Sequence, residues 1–168
     1  TRTFSHETAV ELAEQTSVSV INGLSDKEHP CQALADVFTL QEKWGEVEGK
    51  TLVYVGDGNN VCASLIHAAA LSGMSFVAVT PTTHQPYAEA AEDFEALAVS
   101  SSASYRYTDS LDGLEGADAV YTDTWVSMGQ EEEAEERKAI FAPFQINDEL
   151  IAAANPKAIF LHCLPAHR

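Results

Sequence analysis

The sequence predicts an α/β fold: a single domain with one doubly wound, Rossmann-like parallel sheet and helices on both faces. Short apolar runs alternate with helical patterns along most of the 168 residues. The strongest run, residues 50–55 in "KTLVYVG", is almost continuously apolar, as expected for a strand that is covered on both faces. Strands separated by helices of this length are typical of βαβ units and therefore of a parallel sheet.

The elements follow one another along the chain with recognisable boundaries. Six runs are predicted as strands: 18–22, 50–55, 75–81, 105–108, 118–124 and 157–164. The predicted helices lie within 29–45, 59–73, 86–100, 109–117, 130–144 and 147–155. Gly45 and Gly73 end two of these helices, and Asn147 is the expected N-cap of the last. The first of them is expected to bury one apolar stripe, made of Ala33, Leu34, Val37, Phe38 and Leu40.

The composition excludes several classes of partner. Twenty-six acidic residues face nine basic ones, which gives a net charge of −17 and argues against nucleic acid or an anionic membrane as a partner. No apolar run approaches the roughly 20 residues that a bilayer-spanning helix needs. Two interpretations of the acidity stay open, an ordinary solvated surface or a protein from a high-salt cytoplasm.

The three cysteines are far apart and form no C-x-x-C pair. This spacing predicts neither a zinc site nor a disulfide framework, and it favours a reducing, cytoplasmic location. No metal and no cofactor are predicted.

Ligands of doubly wound sheets bind beyond the carboxyl ends of the strands. Four stretches of this chain follow predicted strands and should therefore face one crevice: "HPCQ", "GDGNN", "DTWVSMG" and "HCLP". "GDGNN" differs from a dinucleotide fingerprint because Val61 stands where the third glycine would be. Asn59 and Asn60, at a predicted helix start, could instead hold a carboxylate through an amide side chain and free backbone N–H groups, although the stretch could also be only a tight turn.

The other stretches carry groups that suit an amino acid and a polarised carbonyl. Asp123, the Ser127 hydroxyl and backbone amides near Met128 could hold a zwitterion, or they could form a capped loop. His29 and Gln32 are spaced i, i+3 and share one helical face, where they could act as donors, although a histidine at a helix start can also be structural. A cysteine at a strand tip, such as Cys163, can equally be a buried, inert thiol.

The series "HPCQALAD", "VGDGNN", "TDTWVSMGQE" and "FLHCLPAHR" closely resembles the ornithine carbamoyltransferases over essentially the whole chain. "SMG" and "HCLP" are the features that distinguish this family from the aspartate carbamoyltransferases. The resemblance implies that residues 1–16 are the tail of a carbamoyl-phosphate domain with its connecting helix. It implies that 17–168 are an ornithine-binding α/β domain that stops before a C-terminal helix. The family's Ser-Thr-Arg-Thr phosphate loop does not occur in the sequence, so the chain is expected to be a fragment that is inactive in isolation.

The resemblance also implies a reaction, the transfer of a carbamoyl group from carbamoyl phosphate to the δ-amine of L-ornithine, giving L-citrulline and phosphate. Such a reaction belongs to arginine biosynthesis or to the arginine deiminase pathway, and the full-length protein is expected to be a cytoplasmic homotrimer or a multiple of trimers. Two alternatives remain: a carbamoyltransferase for another amine, such as putrescine or an N-acylornithine, or a catalytically inactive amino-acid-binding fragment.

Site residues are implied only where this sequence matches the family's motifs. The implied catalytic residues are Arg2, His29, Asp123 and Cys163. Carbamoyl phosphate would contact Arg2, His29, Gln32, Cys163 and Leu164. Ornithine would contact Asn60, Asp123, Ser127, Met128 and Cys163.

Overall fold

A computed structural model describes residues 1–126, 131–164 and 166, without the side chain of residue 131. Five parallel strands form one sheet in the order β3-β2-β1-β4-β5. The strands are β1 (Thr51–Val55), β2 (Ser75–Val79), β3 (Tyr105–Thr108), β4 (Ala119–Thr122) and β5 (Ile159–His162). The predicted doubly wound α/β fold is confirmed.

The helices connect and cover these strands. They are α1 (His6–Gln15), α2 (Pro30–Trp44), α3 (Asn60–Leu71), α4 (Ala90–Leu97), α5 (Ala134–Phe141) and α6 (Asp148–Ile151). Short 3₁₀ helices occupy Leu111–Leu114, Glu131–Glu133 and Ala142–Phe144. In the described part of the chain, none of the helices combines the length and the apolar character that a bilayer crossing requires.

Two apolar cores lie on opposite faces of the sheet. Along β1, Leu52 and Tyr54 point into the core formed with α2, α3 and α4, whereas Val53 and Val55 point into the other. The second core is closed by the segments around residues 111–117 and 144–154. Both faces of β1 are therefore buried, which is why its sequence is continuously apolar rather than alternating.

The predicted strand at 18–22 is wrong, because these residues, all of them described, form no strand. Val18 and Ile21 are largely exposed, and the nearest sheet-like contact is the single bridge between Arg2 and Leu24. A β-branched run favours extended backbone, but a strand also requires a neighbour along its length.

The apolar stripe predicted for α2 is only partly correct. Ala33, Val37 and Leu40 are buried against the sheet, whereas Leu34 and Phe38 are exposed. The turn of the helix explains the difference, because positions 33, 37 and 40 face one side and 34 and 38 are rotated by about 100° from them.

Several predicted boundaries are shifted. The helix predicted within 86–100 begins at Ala90, and the predicted helix at 109–117 is reduced to a 3₁₀ turn. The helix predicted over 130–144 is divided into two 3₁₀ turns flanking α5. Strand β5 ends at His162, so Cys163 lies directly beyond the strand rather than within it.

Candidate functional site

The candidate site lies where the strand order reverses, between β1 and β4. Open α/β sheets bind ligands at this switch point, because the loops that leave the two strands there diverge to opposite faces. A cleft of about 670 Å³ opens at this carboxyl edge of the sheet. Its lining comes from the start of the chain, from the start of α2 and from the loops after β1, β2, β4 and β5.

The cleft brings together every predicted site residue that the structure describes: Arg2, His29, Gln32, Asn60, Asp123, Cys163 and Leu164. Ser127 and Met128 lie outside the described residues. The stretches "HPCQ", "GDGNN" and "HCLP" and the start of "DTWVSMG" thus share one crevice, as predicted. "HPCQ" reaches it without the strand that was expected to precede it.

Asp123 is the most constrained group of the cleft. One carboxylate oxygen accepts hydrogen bonds from the Cys163 thiol at 2.6 Å and from the Thr124 backbone N–H at 2.7 Å. The other accepts one from the Asn59 amide at 2.7 Å. An ionised carboxylate has about four acceptor sites. A longer hydrogen bond from the Thr124 hydroxyl, at 3.5 Å, reaches the first oxygen as well. Asp123 is therefore fixed in place, and its second oxygen, which has one protein donor, retains acceptor capacity for a cationic ligand.

Cys163 is a donor and not a thiolate. Burial first, and then the negative charge of Asp123, raise the pKa of the thiol to about 12. The thiol therefore stays protonated at neutral pH, and its proton points at the Asp123 carboxylate. A nucleophilic thiolate would need a lowered pKa, so this geometry favours a positioning or binding role over covalent catalysis.

His29 precedes α2 and is held through its backbone. Its N–H donates to the Ser64 hydroxyl at 2.8 Å, and that hydroxyl donates to Glu28. Burial first, and then the positive charge of Arg2, lower the pKa of the imidazole. The ring is therefore neutral at neutral pH and can donate one N–H to a ligand oxygen.

Gln32 lies in the first turn of α2 and contacts a residue that sequence reasoning missed. Its amide nitrogen donates to Asp36 at 3.0 Å. Asp36 is only 7% exposed, and burial raises its pKa to about 6. A signal was present, because Asp36 directly precedes Val37 on the buried side of an amphipathic helix, a position where an acidic residue is unusual.

The two asparagines of "GDGNN" have different roles. Asn59 is the N-cap of α3, because its side-chain oxygen accepts from the backbone N–H groups of Val61 and Cys62. The Asn59 side chain therefore satisfies these two N–H groups, and they are not available for an anion. Asn60 uses one of its two amide N–H groups to bind the Ser25 carbonyl at 2.6 Å, and it lines the cleft.

Gly58 is required for a close approach of two loops. A Cβ atom at this position would lie 2.4 Å from the backbone of Gln85 and Pro86. The Gly58 N–H also donates to the His84 carbonyl at 3.0 Å. The loops after β1 and β2 are thereby joined along one wall of the cleft.

Arg137 of α5 joins the loops after β1 and β4. Its guanidinium pairs with Asp57, and its Nε–H donates to the Trp125 carbonyl at 2.6 Å. Both charged side chains are almost completely buried. Sequence reasoning missed this pair, because an arginine in an acidic helix resembles a surface residue.

No group of three histidine, cysteine or acidic side chains among the described residues is arranged to hold a metal ion. A second, smaller cleft of about 420 Å³ lies at the opposite edge of the sheet, beside Trp44, Lys50 and Asp118. None of the predicted site residues lines it.

Comparison with known proteins agrees with the fold. The family model described as "Aspartate/ornithine carbamoyltransferase, Asp/Orn binding domain" matches residues 48–168, and the companion carbamoyl-phosphate-binding domain matches residues 1–42. The ornithine carbamoyltransferase of Thermococcus kodakarensis is 50% identical over 168 residues, which are 99% of this chain and 53% of that protein. That of Methanospirillum hungatei is 49% identical over 164 residues, covering 97% of this chain and 53% of the relative.

Among solved structures, the ornithine carbamoyltransferase of Pyrococcus furiosus superimposes with a TM-score of 0.93 at 48% identity. The match covers 99% of this chain and 54% of that one. The chain thus spans about half the length of the curated relatives it matches. Because the two family models together match nearly the whole chain and its relatives are about half identical to it, this chain belongs to the aspartate/ornithine carbamoyltransferase family.

Proposed function

We propose that this chain supplies the amino-acid-binding part of an enzyme that transfers the carbamoyl group of carbamoyl phosphate to the δ-amine of L-ornithine. The observation that carries the proposal is the Asp123 carboxylate, fixed by hydrogen bonds from three neighbouring residues at the switch point of the sheet. It shares one cleft with His29, which precedes α2, and with Gln32 of that helix. An acceptor for an ammonium group thus lies in the same cleft as donors for a carbonyl. The relatives named above are ornithine carbamoyltransferases, which supports the same assignment.

The reaction joins a neutral amine to an activated carbonyl. The δ-nitrogen lone pair attacks the carbonyl carbon, the C–N bond forms, and negative charge develops on the carbonyl oxygen. The C–O bond to phosphate then breaks, and phosphate leaves with the bonding electrons. The surplus proton of the nitrogen goes to the departing phosphate or to solvent, and the products are citrulline and phosphate.

Arg2 and His29 are proposed to stabilise the charge on that oxygen. The imidazole suits this role because it is neutral and its backbone is fixed through Ser64. Removing one donor of this kind from an oxyanion site costs about 2.7–4 kcal/mol of activation free energy. Gln32 would contact the remainder of the carbamoyl group.

Asn60, Asp123, Ser127 and Met128 are proposed to hold the α-carboxylate and α-amine of ornithine. Cys163 and the Leu164 backbone would lie beside the δ-amine. Since the Cys163 thiol stays protonated, it would contact the substrate as a polarisable group and would not act as a base.

The test is a product assay with the complete protein encoded by the gene of this chain. Citrulline is measured by mass spectrometry with carbamoyl phosphate and, in parallel, with ornithine, putrescine, N-acetylornithine or aspartate as the acceptor. We expect ornithine to be the preferred acceptor and Asp123→Asn to remove most of that activity. Preference for another amine would overturn the assigned substrate, and binding of ornithine without turnover would favour the amino-acid-binding alternative.

The remaining assignments belong to the same proposal. The 168 residues alone should form citrulline at a negligible rate, which the same assay measures. A domain boundary between residues 16 and 17, a trimer or a multiple of trimers, and a cytoplasmic location are also proposed. Limited proteolysis, light scattering and cell fractionation test these three in turn.

A further inference from the structure

Asp36 is a buried acid that the proposed reaction does not use. It lies one turn after Gln32 on α2 and is only 7% exposed. One of its oxygens accepts from the Gln32 amide nitrogen at 3.0 Å. The Tyr121 hydroxyl lowers its pKa and the negative charge of Asp123 raises it, both by less than burial does. Its other oxygen finds no hydrogen-bond partner among the described residues.

The contact decides which end of the Gln32 amide is left for a ligand. A glutamine amide has a donor end and an acceptor end that are nearly equal in shape. An ionised carboxylate can only accept, so it binds the nitrogen and leaves the amide oxygen for another partner. Gln32 lines the cleft, and a ligand there therefore meets an acceptor held in one orientation.

This orientation suits one feature of a carbamoyl group. A carbamoyl phosphate and an acetyl phosphate have almost the same shape around the carbonyl, but the first carries an NH₂ group where the second carries a methyl group. An acceptor that is fixed beside this position pairs with the NH₂ group and gains nothing from the methyl group.

We propose that Asp36 is a positioning residue, which fixes the Gln32 amide with its oxygen toward the donor substrate and so selects an acyl phosphate that carries an NH₂ group. The inference rests on the proposed function, since it assumes that the donor substrate occupies this cleft. It gives a role to a carboxylate that lies in a buried position, where ionisation is unfavourable.

Two phosphonates of equal charge test the proposal by binding alone. Phosphonoacetamide carries the NH₂ group, and acetonylphosphonate carries a methyl group in its place. Calorimetry with the complete protein gives the ratio of their dissociation constants. A neutral hydrogen bond predicts a preference for the amide of roughly tenfold.

Asp36→Leu removes the anchor and keeps a similar volume. The Gln32 side chain must then be ordered by the ligand, which should weaken amide binding by about two- to tenfold and leave ketone binding unchanged. Gln32→Met should abolish the preference. Because Asp36 acts through Gln32, the double variant should match Gln32→Met alone.

The matched control is Asp118→Asn, which alters a partly buried acid at the opposite edge of the sheet. Its affinity ratio should equal that of the unaltered protein. Asp36→Asn is a second variant that preserves packing, and it should fall between the unaltered protein and Asp36→Leu, because its amide can bind Gln32 either way round.

The outcomes separate the inference from the proposed function. If the unaltered protein binds neither phosphonate, both are overturned. If it prefers the amide and the Asp36 variants keep the same preference, the proposed function stands and the role of Asp36 is wrong. A double variant that is worse than Gln32→Met also overturns the inference, because Asp36 would then act independently of Gln32.

Discussion

Asp36→Asn should make the protein more stable at pH 8, although it removes a charged hydrogen-bond partner. Burial raises the pKa of Asp36 from 3.8 to about 6 in the folded state. Each pKa unit corresponds to about 1.36 kcal/mol. The folded state therefore disfavours the ionised carboxyl by up to about 3 kcal/mol relative to the unfolded state. Asparagine removes this term, and its side-chain oxygen can still accept from Gln32.

The gain must depend on pH in one direction. The raised pKa means that the penalty is complete above pH 6, decreases as the pH falls from about 6 to 3.8, and is absent below, where the carboxyl is protonated in both states. The variant and the parent should therefore become equally stable near pH 4.

The assay is urea denaturation of the complete protein at pH 8, 6 and 4, with Asp118→Asn as the control. Asp118 accepts from the Thr51 backbone N–H at 3.0 Å and from Asn155 at 3.2 Å, and it pairs with Lys50. That variant should lose stability at pH 8. If Asp36→Asn is less stable than the parent at pH 8, or if its gain is the same at every pH, then the buried charge stabilises the fold and the reasoning fails.

Four further outcomes are expected. Gly58→Ala should lower the unfolding free energy in urea by roughly 1–3 kcal/mol, because the new methyl group meets backbone that cannot move aside easily. Arg137→Gln should lower it by about 3–5 kcal/mol at pH 8, and by less as acid protonates the Asp57 carboxyl that loses its partner. Cys163→Ser should raise the ornithine KM or lower kcat, and it should change the carbamoyl phosphate KM less than the ornithine KM; a fall in the thermal midpoint alone would show that the thiol only packs. Finally, the −17 net charge predicts that the midpoint rises from low to molar potassium chloride, whereas a flat series would indicate an ordinary acidic surface.

The fold class was predictable because the continuously apolar sequence of β1 indicates a strand that is buried on both faces. The order of the strands was not predictable from any residue pattern, since β1 pairs with β2 and with β4, which is 64 residues or more beyond β1 in the chain. The mistaken strand at 18–22 has the same origin. Local composition indicates whether the backbone prefers an extended conformation. Strand pairing depends instead on which other segment the tertiary structure places beside it.

The site was predictable as far as it depends on strand ends. Asp123 and Cys163 were found because parallel strands deliver their following residues to one edge. His29 was assigned to the same edge through a strand at 18–22 that does not form, and the start of α2 brings it there instead. Asp36 and Arg137 were missed because their roles come from burial by distant elements, which turns ordinary helical polar residues into constrained charges. Asn59 and Asn60 have different roles because of the turn that precedes α3. Since both are asparagines, the sequence could not distinguish these roles.

The geometry around Asp123 follows from the register of the sheet. Thr122 of β4 pairs with His162 of β5, so Asp123 and Cys163 are the next residues on two adjacent strand ends. Neighbouring strands lie about 4.8 Å apart, and side chains at equivalent positions of parallel strands leave on the same face. This places the thiol within 2.6 Å of the carboxylate without any special loop. A shift of one residue in the pairing of β4 with β5 would turn Cys163 to the other face. The hydrogen bond that fixes Asp123 therefore depends on backbone pairing, and variants that weaken β5 should disturb ligand binding even when they lie far from the cleft.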